Sequence, residues 1–118
     1  MKVHLSILVV EDDGKRINNF IEFLGHHELR MTDNVYDAIE FLHNQMFDVI
    51  YLDNRLGGDN GTGRDVVEFI KTLNYEPEVI FHSWDIFEFR KIQELLPQAK
   101  NKPYNSEMFY SLEHAIYE

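Results

Sequence analysis

Residues 3–13 read Val-His-Leu-Ser-Ile-Leu-Val-Val-Glu-Asp-Asp, a nearly continuous apolar run that breaks into three consecutive acids. A run of this kind, without polar alternation, reads as a strand buried on both faces, which belongs in a parallel sheet covered by helices. The rest of the chain supplies the partners. Ile17, Phe20, Ile21 and Leu24 fall at helical spacing before Gly25, a helix stop. Glu28–Thr32 predicts a short strand, and Val35, Ala38, Ile39 and Leu42 a second helical stripe with Asp33 or Asn34 as its N-cap. Asp48–Leu52 is rich in β-formers and predicts another buried strand, followed by a helical face of Val66, Phe69, Ile70 and Leu73. Val79–Phe81 predicts a fourth strand, and Ile86, Phe89, Ile92 and Leu96 a helix stopped by Pro97. A brief strand near Gln98–Asn101 and a helix from about Ser106 close the chain.

Strict alternation of five strands with five helices predicts an α/β chain with a doubly wound parallel sheet. The second and fifth strands are short and polar and belong at the edges, which matches the 2-1-3-4-5 order of flavodoxin-like (βα)5 folds. At 118 residues, 14.1 kDa and 44% hydrophobic content, residues 1–118 make one domain and leave no room for a separate output domain. A net charge of −10 repels polyphosphate and anionic lipid, so direct DNA binding and a membrane surface are not expected as the main partnership. With no cysteine the chain has no disulfide or thiolate metal site, and it suits the cytoplasm. Leu5–Val10 is too short for a signal core and runs into acids, and nothing approaches a membrane span.

In open α/β sheets, ligands bind beyond the carboxyl ends of the strands where the strand order reverses, here between the first and third strands. The first strand ends at Glu11, Asp12 and Asp13, and the third at Asp53. Carboxylates gathered in one small volume cannot all stay ionised without a cation, and hard oxygen ligands suit Mg²⁺, with Mn²⁺ as the substitute. The plainer reading of the three acids is a turn that caps the first helix. The fourth strand runs out at His82 and Ser83, and the fifth at Lys102. A hydroxyl and an ammonium beside a metal-bound carboxylate form a clamp for a phosphoryl group. Alternation predicts that His82 and Ser83 face opposite sides of the sheet, so His82 packs under a helix unless the strand breaks its alternation there. As an imidazole at a strand end it is still a candidate acid/base. His26 and His27, at the far end of the sheet, read as structural.

The succession Val9-Val10-Glu11-Asp12-Asp13, Leu52-Asp53, Ser83 and Lys102-Pro103 resembles the receiver domain of two-component response regulators along essentially the whole chain. That resemblance implies a phosphorelay role. Glu11 and Asp12 become the acid pair, with Asp12 the direct metal ligand, and Asp53 the phosphoryl acceptor. Arg55 lends a backbone carbonyl to the metal, Ser83 is the switch hydroxyl, and Lys102 is the phosphate-pairing lysine. Asp13 is left as outer-shell charge. The implied partner is a phosphoryl donor, a histidine kinase or a small-molecule phosphate.

Several residues depart from that pattern. Four of the six glycines lie between Gly57 and Gly63. Such a loop either aims N–H groups at an anion, with Gly57 and Gly58 as phosphate contacts, or is a simple turn. It lacks the Gly-Lys-Ser/Thr ending of a nucleotide-binding P-loop. Trp84 stands where a small residue is usual, and Ala99 where an aromatic reporter is expected. Leu52, Asp53, Leu56, Gly57, Gly58, Gly61, Thr62, Gly63, Asp65, Val66, Val79, Ile80, His82 and Ser83 are similar to a divergent group, the cyclic-phosphate processing receiver domains. Asn54 and Lys102 fit that group less well. This second resemblance implies metal-dependent processing of cyclic phosphate ends, with a cyclic-phosphate ligand as partner.

Three roles stay open from sequence: a stand-alone receiver signalling by protein contact, a phosphoesterase-like variant, and a pseudo-receiver that only binds a partner. Tyr104, Phe109, Tyr110 and Tyr117 form a candidate homodimer face.

Overall fold

A computed structural model of the chain describes residues 4–53, 56, 61–82 and 86–102. The elements alternate as β1 (Ser6–Val10), α1 (Gly14–Leu24), β2 (Glu28–Thr32), α2 (Val35–Asn44), β3 (Val49–Leu52), α3 (Gly63–Ile70), β4 (Glu78–Phe81), α4 (Ile86–Leu95) and β5 (Lys100–Asn101). All four strand pairings are parallel, and the sheet order is β2-β1-β3-β4-β5, so the flavodoxin-like α/β fold read from the sequence is the fold observed. The edge strands are the polar ones, since only a strand with helices on both faces and strands on both sides needs to be apolar throughout. The helix expected from about Ser106 lies outside the described residues.

Two cores flank the sheet. Ile7, Val9, Val49, Tyr51 and Ile80 point to one face and pack with Phe20 and Leu24 of α1. Leu8, Val10, Ile50, Leu52, Val79 and Phe81 point to the other, against Ala38 and Leu42 of α2, Val66, Val67 and Ile70 of α3, and Phe89 and Ile92 of α4. The rings of Phe20 and Tyr51 meet edge to face at 5.2 Å, locking α1 over the middle of β3.

Local chemistry fixes where the helices begin. Asp13 adopts an extended backbone and its Oδ1 accepts the Arg16 amide at 3.1 Å, so it is the N-cap of α1. The plainer reading of the acids, a turn that caps the first helix, thus holds for Asp13. Asn34 caps α2 through the Asp37 amide at 2.8 Å. At α3 the Asp65 carboxylate reaches back to the Thr62 amide at 3.0 Å. Gly61, just before it, has φ +87°, and a Cβ there would overlap Val35. Only glycine lets the chain leave the glycine-rich loop at this angle so close to α2.

Candidate functional site

Parallel pairing carries the site across the sheet. Val10 is in register with Leu52, and Leu52 with Phe81. One step further along, Glu11, Asp53 and His82 form the next row, and the ladder continues through it: the Asp53 amide donates to the Val10 carbonyl at 3.0 Å and the His82 amide to the Leu52 carbonyl at 3.3 Å. Phe81 pairs with Asn101, and the Lys102 amide donates to the Phe81 carbonyl at 2.7 Å, so the Lys102 backbone closes the row on the β5 side. Because side chains alternate, residues of this row project to the same face as Val9, Tyr51 and Ile80, the face that α1 covers.

Burial separates the three acids after β1. Glu11 is 1% exposed, whereas Asp12 and Asp13 are exposed. Glu11 Oε1 accepts from His82 Nε2 at 3.1 Å and lies 3.5 Å from the Arg16 guanidinium. Its Oε2 accepts the Asp12 amide at 3.0 Å and the Asp13 amide at 3.4 Å. Burial alone pushes the Glu11 pKa up, but its contacts with His82, Asp53 and the Arg16 guanidinium outweigh it and pull the value from 4.5 down to about 2. A carboxylate can only accept, so His82 Nε2 carries the proton in this bond.

Ligand atoms of Glu11, Asp53 and His82 all lie within 4.8 Å of one another. Two carboxylates and an imidazole this close could hold a metal ion, while Glu11 Oε1 and His82 Nε2 are here engaged with each other. Asp12 is outside this group, on the exposed turn that Glu11 Oε2 holds in place. The expectation for His82 is corrected in part. It does pack under a helix, its ring 5.6 Å from that of Phe20. Yet it reaches the acidic site with the strand alternation intact, because Glu11 and Asp53 share its face. What the sequence reading missed is that the alternation had to be compared with β1 and β3, not with Ser83.

Lys102, at the end of β5, is partly exposed. Arg55, Gly57, Gly58, Ser83, Trp84, Pro103, Tyr104, Phe109, Tyr110 and Tyr117 lie outside the described residues. At the opposite end of the sheet, His27 is buried and its Nδ1 accepts the Leu5 amide at 3.0 Å, which ties β1 to the end of α1 in a structural role. No helix among the described residues is long and apolar enough to cross a membrane.

Solved structures share this fold. The phosphorylated cyanobacterial phytochrome response regulator RcpA aligns with a TM-score of 0.77 at 20% identity, over 96% of this chain and 91% of that one. A CheY-like response regulator receiver domain from Methylobacillus flagellatus gives 0.77 at 18%, over 97% and 99%. NtrX from Brucella abortus gives 0.79 at 20% over 97% of this chain, which spans 27% of that protein. Among curated proteins no relative matches. Residues 7–98 match the family model of the cyclic-phosphate processing receiver domain. With that match running from β1 to beyond α4 and an acidic row at the carboxyl end of the sheet, the chain belongs to the cyclic-phosphate processing receiver domain family.

Proposed function

We propose that the chain is a receiver that takes a phosphoryl group onto Asp53 at a divalent-cation site and signals by protein contact. The observation that carries this reading is the convergence of Glu11, Asp53 and His82 within 4.8 Å at the carboxyl end of three adjacent strands. An Asp53 oxygen attacks phosphorus, the bond from phosphorus to the donor's leaving group breaks, and the leaving group keeps the electron pair. A bound Mg²⁺ or Mn²⁺ would supply positive charge to offset that on the phosphoryl oxygens. Asp12 and Asp53 would hold it, with the Arg55 carbonyl as a third ligand. Glu11, whose two oxygens already have four partners, orients the Asp12 turn and His82. Lys102 and Ser83 supply the cation and hydroxyl for phosphoryl oxygens, and Gly57 and Gly58 amide donors. The donor is a histidine kinase or a small-molecule phosphate such as acetyl phosphate, in a cytoplasmic setting.

A second reading, processing of cyclic phosphate ends, is favoured by the buried His82 imidazole beside the acids and by the family's description. Water attacks phosphorus and gives a proton to the Asp53 carboxylate, one ring P–O bond breaks, and His82 gives its own proton to the departing alkoxide; transfer of the proton from Asp53 back to His82 restores both groups.

Incubation with Mg²⁺ and acetyl phosphate, followed by intact mass measurement, tests the first reading: one phosphoryl group is added, and none to Asp53→Asn. In parallel, a 2′,3′-cyclic nucleotide tests the second, which requires ring opening lost in Asp53→Asn and His82→Asn. Neither reaction, with no metal binding, leaves an interaction module.

A further inference from the structure

A trough lies over the β2 edge of the sheet. One cavity of about 410 Å³ is lined by Met31, Asp37, Glu40, Phe41, Asn44 and Gln45. A second, of about 330 Å³, shares Met31 and Asp37 with it and extends past Asp33 to Ile17 and Glu11. The two cavities lie side by side, with Met31 and Asp37 in the lining of both.

The trough's lining combines apolar side chains with carboxylates and, among the described residues, holds no lysine or arginine. Four acids elsewhere have a cation beside them: Glu28 with Arg30, Glu68 with Lys71, Glu78 with Lys100 and Glu88 with Lys91. Asp33, Asp37 and Glu40 have no ion pair among the described residues; Asn34 donates to the carboxylates of Asp33 and Asp37, and Asn44 to that of Glu40. Three carboxylates beside an apolar floor, on a chain of net charge −10, repel a polyanion and attract a cation that brings an apolar neighbour.

We propose that this trough docks a lysine- or arginine-bearing peptide segment of a partner protein, with an apolar side chain between Met31 and Phe41 and its cation against Asp37 and Glu40. The site is separate from the phosphoryl chemistry and stands without it.

The test is a titration of the full chain, labelled in its methionine methyl groups and backbone amides, with a short leucine–lysine peptide followed by NMR. Met31 and the amides of residues 37–41 shift in a saturable way, and a leucine–glutamate peptide has no effect. Glu40→Lys, an exposed helix position that leaves the fold intact, weakens binding by about fivefold, the weight of one exposed charge pair. The Asp37→Asn variant, which also touches the α2 cap, gives the same direction. The proposal is overturned by shifts spread evenly over the surface, by equal affinity in Glu40→Lys, by equal binding of the glutamate peptide or of oligouridylate, or by concentration-dependent Met31 shifts without peptide, which mark self-association.

Discussion

His82 Nε2 and Glu11 Oε1 stand 3.1 Å apart with both side chains fully buried, though the residues are 71 positions apart in sequence. No direct strand pairing links β1 to β4, so this bond bridges over β3 and ties the ends of three strands together. It is the structural axis of the site.

Removing one partner leaves the other buried and uncompensated, which costs about 3–5 kcal/mol for a buried pair. His82→Ala is therefore expected to lower unfolding free energy by about 3 kcal/mol or more in urea titrations, and Glu11→Ala by a similar amount. The Glu11→Ala/His82→Ala double variant is expected to lose less than the sum. Strict additivity would mean the two side chains do not interact.

Acid should act through the same pair. The folded-state pKa of Glu11 lies at about 2, below its ordinary 4.5. Between those values the unfolded chain binds more protons than the folded one, so stability rises with pH through this window. The Glu11 contribution is fully present above pH 4.5 and lost as pH falls toward 2. Urea midpoints measured in chelator between these limits should fall more steeply for the wild type than for Glu11→Gln. Parallel slopes would refute the assignment.

Asp13 and Asp12 are adjacent but serve different ends. Asp13→Ala removes the α1 cap and should cost about 1 kcal/mol of stability while leaving divalent-cation affinity unchanged. Asp12→Ala should do the reverse. Thermal melts with and without Mg²⁺ separate the two effects, and equal behaviour of both variants would erase the distinction.

Gly61→Ala tests the entry to α3. It combines an unfavourable positive φ with an overlap on Val35, so a loss of about 1–3 kcal/mol in chemical denaturation is expected. A neutral outcome would mean the backbone relaxes at no cost.

The fold was legible because its signals are local and repeated: buried strands without alternation, four apolar helical stripes, and Asn34 as an N-cap. Both edge strands could be placed because Glu28–Thr32 and Lys100–Asn101 are too polar for the centre of the sheet. Carboxylates at two strand ends were legible for the same reason. The division of labour among Glu11, Asp12 and Asp13 was not, since three consecutive acids give no sign of which one the backbone turns inward. Nor was the partnership of His82 with Glu11, which depends on register transmitted through β3. The trough beside Met31 escaped the sequence altogether, because its walls come from β2 and α2 at no recognisable spacing.

The most direct measurement is a calorimetric titration of the chain with Mg²⁺ and Mn²⁺, repeated on Asp53→Asn. A shared cation between Asp12 and Asp53 predicts one stoichiometric site in the wild type, weakened by about tenfold or more when the Asp53 charge is removed. A chain that binds neither ion, or binds both equally well without the Asp53 carboxylate, would contradict the account.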